Sequence, residues 1–275
     1  LMVADNDPDS RGPNRLLHAV QGGDYGYKSM FGGSGIHPYS AWDGELPGTL
    51  PYAVALGEAP TGLLNASLAK LPKDYQDQML CTIWEESSIV RTNMQGNGLS
   101  VSGTTEVIVS GGEDFRPVAF ATDSKGTIYF TDWVLRSYPN HGRGKIWKLS
   151  TKKNIETLDI RGIYDSNLPW TPQEKANADI TSNTTFENLI QNLKSEDPFL
   201  VHATVMALSK EKFKEDLLGK IADEDPTIRL GTLLALQKSG DEEVEYITKQ
   251  FLADPDPKIR NSALIWIGSS QIPDR

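Results

Sequence analysis

Two loops of this 275-residue chain carry residue types and spacings that could do chemistry. In the first, Asp5, Asp7 and Asp9 alternate, and their carboxylates supply several hard oxygen atoms within a short span. Such oxygens suit Ca²⁺ better than a softer metal, although the loop lacks the glycine and the glutamate of an EF-hand. The alternative is a turn-rich loop whose Asp side chains accept hydrogen bonds from backbone N–H groups. The spacing therefore predicts either a calcium site or a capped turn.

The second loop, residues 132–143, separates two candidate β-strands with polar, titratable and aromatic residues. His141 is the candidate general base, because an imidazole titrates near neutral pH. Asp132 and Arg136 would join His141 if the loop folds over the mouth of a site. The alternative is structural, with the aromatic residues of the loop in the core and Asp132 paired with Arg136.

The strands that would position these loops are predicted from short apolar runs separated by Gly, Pro, Asn and Asp. Such runs occur at residues 16–20, 52–56, 62–65, 78–82, 88–92, 105–109, 118–121, 127–131 and 144–149. Short strands with closely spaced turns are typical of an all-β barrel, sandwich or propeller. Residues 22–48 are rich in Gly, Pro and aromatic residues and predict a long loop. Because the chain opens directly on a strand without a starting Met, we expect it to be a fragment of a longer protein.

The second half has a helical period after a predicted linker at residues 151–183. Three segments, starting at Asp197, Asp225 and Asp256, share an Asp-Pro start and apolar residues on one helix face. Asp is a good N-cap and Pro is tolerated at the first helical position. A period of about 30 residues predicts stacked two-helix repeats. We expect the following apolar residues of the repeats to be buried between helices: Ile228, Leu236, Ile259 and Ile267.

Composition excludes several classes of protein. The net charge of -10 and the pI near 4.9 argue against a nucleic acid or an anionic membrane as partner. No apolar run approaches the roughly 18 residues that a membrane-spanning helix needs. The single cysteine, Cys81, excludes an internal disulfide and a CxxCH haem site within these residues.

Residues 12–27, GPNRLLHAVQGGDYGY, resemble a signature of soluble quinoprotein glucose and aldose sugar dehydrogenases, which are six-bladed β-propellers. In that family the carbonyls of the Gly-Pro pair help to hold the calcium that clamps pyrroloquinoline quinone. The resemblance therefore implies this role for Gly12 and Pro13. The FRPV segment is similar to an element whose arginine faces the quinone, which implies that role for Arg116. The EAPTG segment resembles one whose hydroxyl lines the cofactor pocket, which implies that role for Thr61.

The chain also departs from this family pattern. Glu85 stands in the strand region where the family has a lysine that reaches the quinone, and a carboxylate there would repel the anionic cofactor. The family's acidic pair is Leu16-Leu17 here. The family's catalytic histidine lies in earlier blades that this chain does not contain. We therefore expect no dehydrogenase activity from residues 1–275 alone.

A closer resemblance covers most of the chain. The segments NDPDSRGPNR, HPYSAWDGELPGTLP, GGEDFRPV and DWVLRSYPNHGRGKIW precede the helical repeats, which are similar to short HEAT repeats. Together they resemble the large secreted propeller–HEAT–cytochrome c proteins of planctomycetes and related bacteria, which are named as membrane-bound dehydrogenases. This implies the last blades of a six-bladed propeller at residues 1–150, a linker at 151–183 and HEAT-like repeats at 184–275.

The resemblance also implies a function. The chain would be part of a periplasmic or secreted enzyme that oxidises a sugar or a related alcohol, with pyrroloquinoline quinone and Ca²⁺ as cofactors. Electrons would pass to a cytochrome c module, whose haem c is expected outside these residues. The alternative is a non-catalytic scaffold in which the propeller and the HEAT repeats bind a carbohydrate or a protein.

Overall fold

A computed structural model describes residues 1–6, 13–29, 39–41, 43–151, 156–157, 172–240 and 244–270. In these residues, antiparallel sheets are followed by helices, which confirms the predicted order of β and then α structure. Among the same residues, no helix combines the length and the apolar character that crossing a bilayer requires.

The described strands, in chain order, are β1 (Met2–Asp5), β2 (Asn14–His18), β3 (Tyr27–Ser29), β4 (Tyr39–Ala41), β5 (Val54–Leu56), β6 (Pro60–Asn65), β7 (Met79–Ile83), β8 (Ser88–Asn97), β9 (Ser100–Ser110), β10 (Pro117–Thr122), β11 (Ile128–Asp132) and β12 (Lys145–Leu149). Strands β1, β2 and β5 form one antiparallel sheet, β6 to β9 a second, and β10 to β12 a third. In the second and third sheets the strands pair in chain order, which is a meander.

Two expectations for the strands are corrected. The pair of short strands β3 and β4 lies inside residues 22–48, which had been predicted as one long loop. Strands β8 and β9 are longer than predicted because they continue as a hairpin to a turn at Asn97 and Gly98. Gly98 has a φ of 62°, a left-handed conformation that favours glycine.

The three larger sheets pack through their first strands, and β6 lies between β1 and β10. One apolar core forms between the second and third sheets and includes Leu80, Ile89 and Phe130. A second core joins the first and second sheets and includes Leu16 and Cys81. Burial raises the pKa of the Cys81 thiol to about 12, so this cysteine behaves as a small apolar side chain.

The described helices are α1 (Pro172–Asn183), α2 (Phe186–Asn192), α3 (Pro198–Leu208), α4 (Lys214–Leu218), α5 (Pro226–Ser239), α6 (Val244–Leu252) and α7 (Pro257–Ser270). Helix α1 lies in the segment predicted as a linker, which is a correction. Helix α5 packs between α3 and α7, so the three Asp-Pro helices are neighbours. Asp197 and Asp225 accept hydrogen bonds from the first backbone N–H groups of α3 and α5, which confirms both as N-caps.

The predicted register of the repeats is right at three of four positions. Ile228, Leu236 and Ile259 are buried in the helical core. Ile267 is only half-buried, and the neighbouring Trp266 is the buried residue on that turn of α7.

The helices rest on the sheets through the N-terminus of α3. The Asp197 carboxylate, besides capping α3, accepts hydrogen bonds from the Leu99 N–H (2.6 Å) and the Ser100 hydroxyl at the start of β9. His202 on α3 is buried, and its Nε2 lies 3.0 Å from the carbonyl oxygen of Gln21. Burial lowers the pKa of His202, which favours the neutral ring in this contact.

A buried ion pair joins consecutive helical repeats. Arg229 on α5 donates from Nε to one oxygen of Asp254 (2.7 Å) and from Nη2 to the other (2.9 Å). The Arg229 Nη1 donates to the carbonyls of Asp223 and Glu224, so the guanidinium also closes the turn before α5. The bond from Arg229 holds the pKa of Asp254 below its usual range. Stability from this pair is therefore fully present above the ordinary Asp pKa and is lost as the pH falls through the lowered one.

We expect Asp254→Asn to reduce the free energy of unfolding by about 3–5 kcal/mol at pH 7, because it leaves the Arg229 charge buried without a counter-ion. The loss should shrink as the pH falls below about 4, because the Asp254 carboxylate binds a proton there in the unfolded state and at still lower pH in the folded state. Urea unfolding at pH 7 and at acidic pH measures both effects. The control is Lys194→Met, because the Lys194–Asp225 pair is largely exposed and should contribute less than about 1 kcal/mol. An equal loss in both variants would contradict the account.

Candidate functional site

One end of the three larger sheets gathers most of the predicted site residues. Strands β2, β6 and β10 all begin at this end, and β1, β7 and β11 all finish there. We call it the loop end. It comprises residues 5, 13–14, 57–61, 84–87, 111–117 and 132–144. Pro13, Thr61 and Arg116, predicted from three separate segments, lie at the loop end on three neighbouring sheets.

Hydrogen bonds tie the three sheets together at the loop end. The Asn14 amide donates to the Glu58 carboxylate (3.0 Å), and the Glu58 N–H donates to the Glu86 carboxylate (3.0 Å). The Thr61 hydroxyl lies 3.2 Å from the carbonyl oxygen of Pro117 on the third sheet. These bonds run between residues far apart in sequence, so the loop end is a tertiary construction.

Strands β6 and β10 approach each other very closely beside these bonds. A Cβ atom at Gly62 would lie 2.5 Å from the Val118 carbonyl oxygen, so only glycine allows this spacing. The buried hydroxyl of Thr82 fills the gap, since it accepts from the Gly62 N–H (2.6 Å) and donates to Val118 O (2.9 Å). The Thr61 hydroxyl is 2.8 Å from the Thr82 hydroxyl. The Thr61 hydroxyl therefore helps to join the sheets. The resemblance had implied instead that this hydroxyl lines the cofactor pocket.

Arg116 is a buried cation at the centre of the loop end. Its side chain is 6% exposed, and its Nη1 donates to the Phe115 carbonyl (2.8 Å) and to the Ser87 hydroxyl. The guanidinium carbon lies 5.5 Å from the centre of the Trp84 ring, within cation–π range. Its Nε is buried without a hydrogen-bond partner, and no carboxylate of the described residues forms an ion pair with it. Arg116 thus carries a charge and an N–H donor that the described residues leave without a partner.

The Asp132 carboxylate has a structural role and not a catalytic one. It is buried, and its Oδ1 accepts from the backbone N–H groups of Arg116 (2.7 Å) and Val134 (2.8 Å). Its Oδ2 accepts from the Trp147 indole N–H (2.8 Å). The carboxylate therefore joins the start of β10, the loop after β11 and strand β12.

The convergence of Asp132, Arg136 and His141, one of the two alternatives for this loop, is not found among their contacts. Arg136 forms an ion pair with Glu85 of the β7–β8 turn. His141 packs against the Trp133 ring at 4.8 Å, its Nδ1 accepts from a backbone N–H, and its Nε2 is buried without a partner. The imidazole is therefore sequestered in its own loop, which gives no support to a general-base role.

The structural alternative for this loop is also met only in part. Asp132 does not pair with Arg136. Trp133 is half-buried and its indole N–H donates to the Ser137 carbonyl. Tyr138 lies outside the core, 87% exposed, and stacks on Trp84.

Backbone strain is concentrated at the loop end. Of the four non-glycine residues with positive φ among the described residues, three lie here: Ala59 (56°), Ser87 (53°) and Val134 (77°). A β-branched residue such as Val134 in this conformation costs of order 1–3 kcal/mol. Such strain persists where the surrounding contacts over-determine the backbone, and it clusters at functional sites.

Asp5, the described member of the predicted calcium loop, is bound to a cation. Its Oδ2 accepts from Nε (2.9 Å) and Nη2 (2.7 Å) of Arg15, which is 2% exposed and also contacts Asp43 (2.7 Å). Asp7, Asp9 and Gly12 lie outside the described residues. Within the described ranges, no group of three or more His, Cys, Asp or Glu side chains is placed to hold a metal.

Three important residues at the loop end or directly beside it were missed by sequence reasoning: Glu58, Trp84 and Arg15, which binds Asp5. Arg15 stands directly opposite Asp5 in the β1–β2 register, a signal that pairing these two strands in advance would have provided. Glu85 was predicted to repel an anionic cofactor. In the structure Glu85 forms an ion pair with Arg136.

Comparison of the chain with family models, with curated proteins and with solved structures gives no match in any of the three. The relationship to quinoprotein dehydrogenases therefore stays a prediction. A proposal for the function has to rest on the geometry of the loop end.

We expect Asp132→Ala to lower the free energy of unfolding by roughly 2–6 kcal/mol, because two buried backbone N–H groups lose their acceptor. Urea unfolding followed by tryptophan fluorescence measures this loss. The matched control is Asp123→Ala, which removes an acceptor from two backbone N–H groups at a surface turn that water can reach. The Asp132 variant should be clearly the less stable of the two. Equal stability would show that the Asp132 carboxylate does not have this structural role.

Proposed function

We propose that the loop end binds an anionic cofactor through Arg116, as part of a propeller-type quinoprotein dehydrogenase that oxidises a sugar or a related alcohol. The observation that carries this proposal is the buried guanidinium with an unpartnered Nε and no carboxylate counter-ion in the described residues. A buried charge without a partner is costly, and an anionic ligand would offset that cost.

The arrangement of the sheets supports a propeller. The second and third sheets are meanders whose first strands, β6 and β10, lie side by side and both begin at the loop end. Propellers bind ligands near the axis, where such loops converge. The neighbouring helices α3, α5 and α7, with their recurring Asp N-caps, support the HEAT-like reading of the second half.

The residues of the loop end fit pyrroloquinoline quinone in one respect. A guanidinium with a free N–H suits one of the carboxylates of this cofactor. When bound, the quinone would accept a hydride from the alcohol carbon of the substrate. The part played by this chain would be to hold the cofactor by charge, with Arg116 fixed in turn by Ser87 and by the ring of Trp84.

Calcium has less support in the described residues, since the Asp5 carboxylate is bound to Arg15. A calcium role for Asp7, Asp9, Gly12 and Pro13 stays a prediction. The same holds for a cytochrome c as redox partner and for a periplasmic or secreted location, because both rest on the resemblance alone.

A non-catalytic scaffold is the second candidate, and a specific observation favours it. The two residues of the loop end that were considered for proton transfer have structural contacts: Asp132 accepts three hydrogen bonds, and His141 packs on the Trp133 ring and accepts a backbone N–H. An anion or carbohydrate could then bind at the loop end without any reaction.

Thermal unfolding with added pyrroloquinoline quinone, and separately with sulfate, tests the proposal. The quinone should raise the Tm of the wild type, since a ligand at 100 times its Kd stabilises by about 2.7 kcal/mol. Arg116→Met should abolish this shift, while its own stability stays unchanged or rises, because an apolar side chain replaces an unpaired buried charge.

The matched control is Arg91→Met, which also removes an arginine that lies over an aromatic ring but is paired with Asp74 and Glu106. This variant should keep the shift produced by the quinone. A shift with sulfate but none with the quinone would favour the scaffold. A quinone shift that survives in Arg116→Met would contradict the proposed site.

A further inference from the structure

Strand β12 is an open edge of the third sheet. It pairs with β11 on one side, and none of the described residues pairs with its other side. In an antiparallel strand every second residue points its N–H and C=O groups away from the partner strand. The outer edge of β12 therefore carries main-chain donors and acceptors that another strand could bind. The second sheet has four strands, whereas the third sheet ends after three at β12.

The open edge borders a groove. The groove has a volume of about 760 Å³ and lies between β12 and the end of β9, with apolar surface from Phe115 and Phe130. Two apolar residues of β12 are exposed beside it, Ile146 by 75% and Trp147 by 42%. Volumes of roughly 300–1,000 Å³ are typical of sites that hold a ligand. Beside the open edge there is thus space for the side chains of an added strand.

The two faces of β12 differ in their chemistry. In the β11–β12 register Trp147 stands opposite the core residue Phe130, so the Trp147 side chain lies on the face that borders the groove. Ile146 and Lys148 lie on the opposite face, because successive side chains of a strand alternate. The acidic pair at residues 113–114 lines the groove and disfavours a second carboxylate inside it. An added strand would fit best with apolar residues toward the groove and acidic residues toward Lys148.

Basic residues are concentrated at this edge of an acidic chain. Residues 143–153 contain five Lys or Arg and no Asp or Glu, whereas the whole chain has a net charge of -10. Arg143, Lys145 and Lys148 are the described members, and none of them forms an ion pair with a carboxylate of the described residues. Lysines on an edge strand oppose pairing with a basic strand and favour one that carries carboxylates.

We infer that β12 binds an extended segment of a partner protein as an added strand, in which apolar residues alternate with Asp or Glu. Main-chain hydrogen bonds to β12 would provide affinity, and the side chains on the two faces would provide specificity. The apolar side chains would enter the groove beside Trp147, and a carboxylate on the other face would pair with Lys148. This site is separate from the proposed cofactor site, because Arg116 takes no part in it.

Two other occupants fit the edge less well. Pairing of β12 with β12 of a second copy would bring two basic edges together, which like charges disfavour. An anionic membrane would suit the lysines, but lipid tails offer no hydrogen-bonding groups to the main chain of β12. The unpaired main-chain groups therefore favour a peptide strand.

Fluorescence anisotropy with the whole 275-residue chain and a labelled peptide, Val-Glu-Val-Glu-Val-Glu-Val, tests the inference. The wild type should bind this Val-Glu peptide with a Kd of about 1–100 µM, and added salt should weaken the binding. Two control peptides should bind at least about tenfold more weakly. One has Lys in place of Glu, and the other has Pro-Pro at its centre, which removes one N–H from each edge of the strand.

Lys148→Glu reverses the charge on the outer face of β12. This variant should bind the Val-Glu peptide about tenfold or more weakly and should bind the Val-Lys peptide more tightly than the wild type does. The matched control is Lys125→Glu, which makes the same change at an exposed position in the β10–β11 turn of the same sheet and should leave the binding unchanged. Because both lysines are exposed, neither variant should change the Tm.

Several outcomes would overturn the inference. They are no binding of the Val-Glu peptide to the wild type, equal binding in Lys148→Glu, and equal binding of the Pro-Pro peptide, which would show that the main chain of β12 is not used. Binding to vesicles of phosphatidylserine and phosphatidylcholine in place of the peptide would assign the basic edge to a membrane instead. A dimer of the chain that excludes the peptide would assign the edge to a second copy.

Discussion

The close contact between strands β6 and β10 is the constraint on which the rest of the site depends. Gly62 has no Cβ, so the Val118 carbonyl can approach its backbone, and the Thr82 hydroxyl bonds to both strands in the space between them. Arg116 stands two residues before Val118. The contact between β6 and β10 therefore places the Arg116 guanidinium over the Trp84 ring. Without this spacing the second and third sheets would not share one loop end.

Much of the fold could be predicted because its signals are local. Alternating apolar residues located most of the strands, and the Asp-Pro starts located α3 and α5 through caps that use only neighbouring backbone atoms. Helix α1 was missed because its sequence, PQEKANADITSN, has no apolar stripe to mark a buried face. The length of β8 and β9 was missed because their outer halves are polar, although the Asn-Gly turn at residues 97–98 was a readable hairpin signal.

The site was less predictable, because the role of each polar residue depends on a partner distant in sequence. The resemblance had singled out Pro13, Thr61 and Arg116, and the structure places all three at one end of neighbouring sheets. Sequence could not reveal that Arg136 pairs with Glu85 across two sheets. A structural carboxylate and a ligand-binding carboxylate look the same in a sequence. Only their contacts in the folded protein distinguish them.

Hydrogen–deuterium exchange in a Gly62→Ala variant tests most directly whether the β6–β10 contact holds the loop end together. A Cβ at this position would collide with the Val118 carbonyl, whereas a Cβ at Gly112 meets no atom within 4 Å, so Gly112→Ala is the control. We predict faster exchange at residues 84–87 and 115–118 in Gly62→Ala and wild-type exchange in Gly112→Ala. Wild-type exchange at both segments in Gly62→Ala would contradict the account.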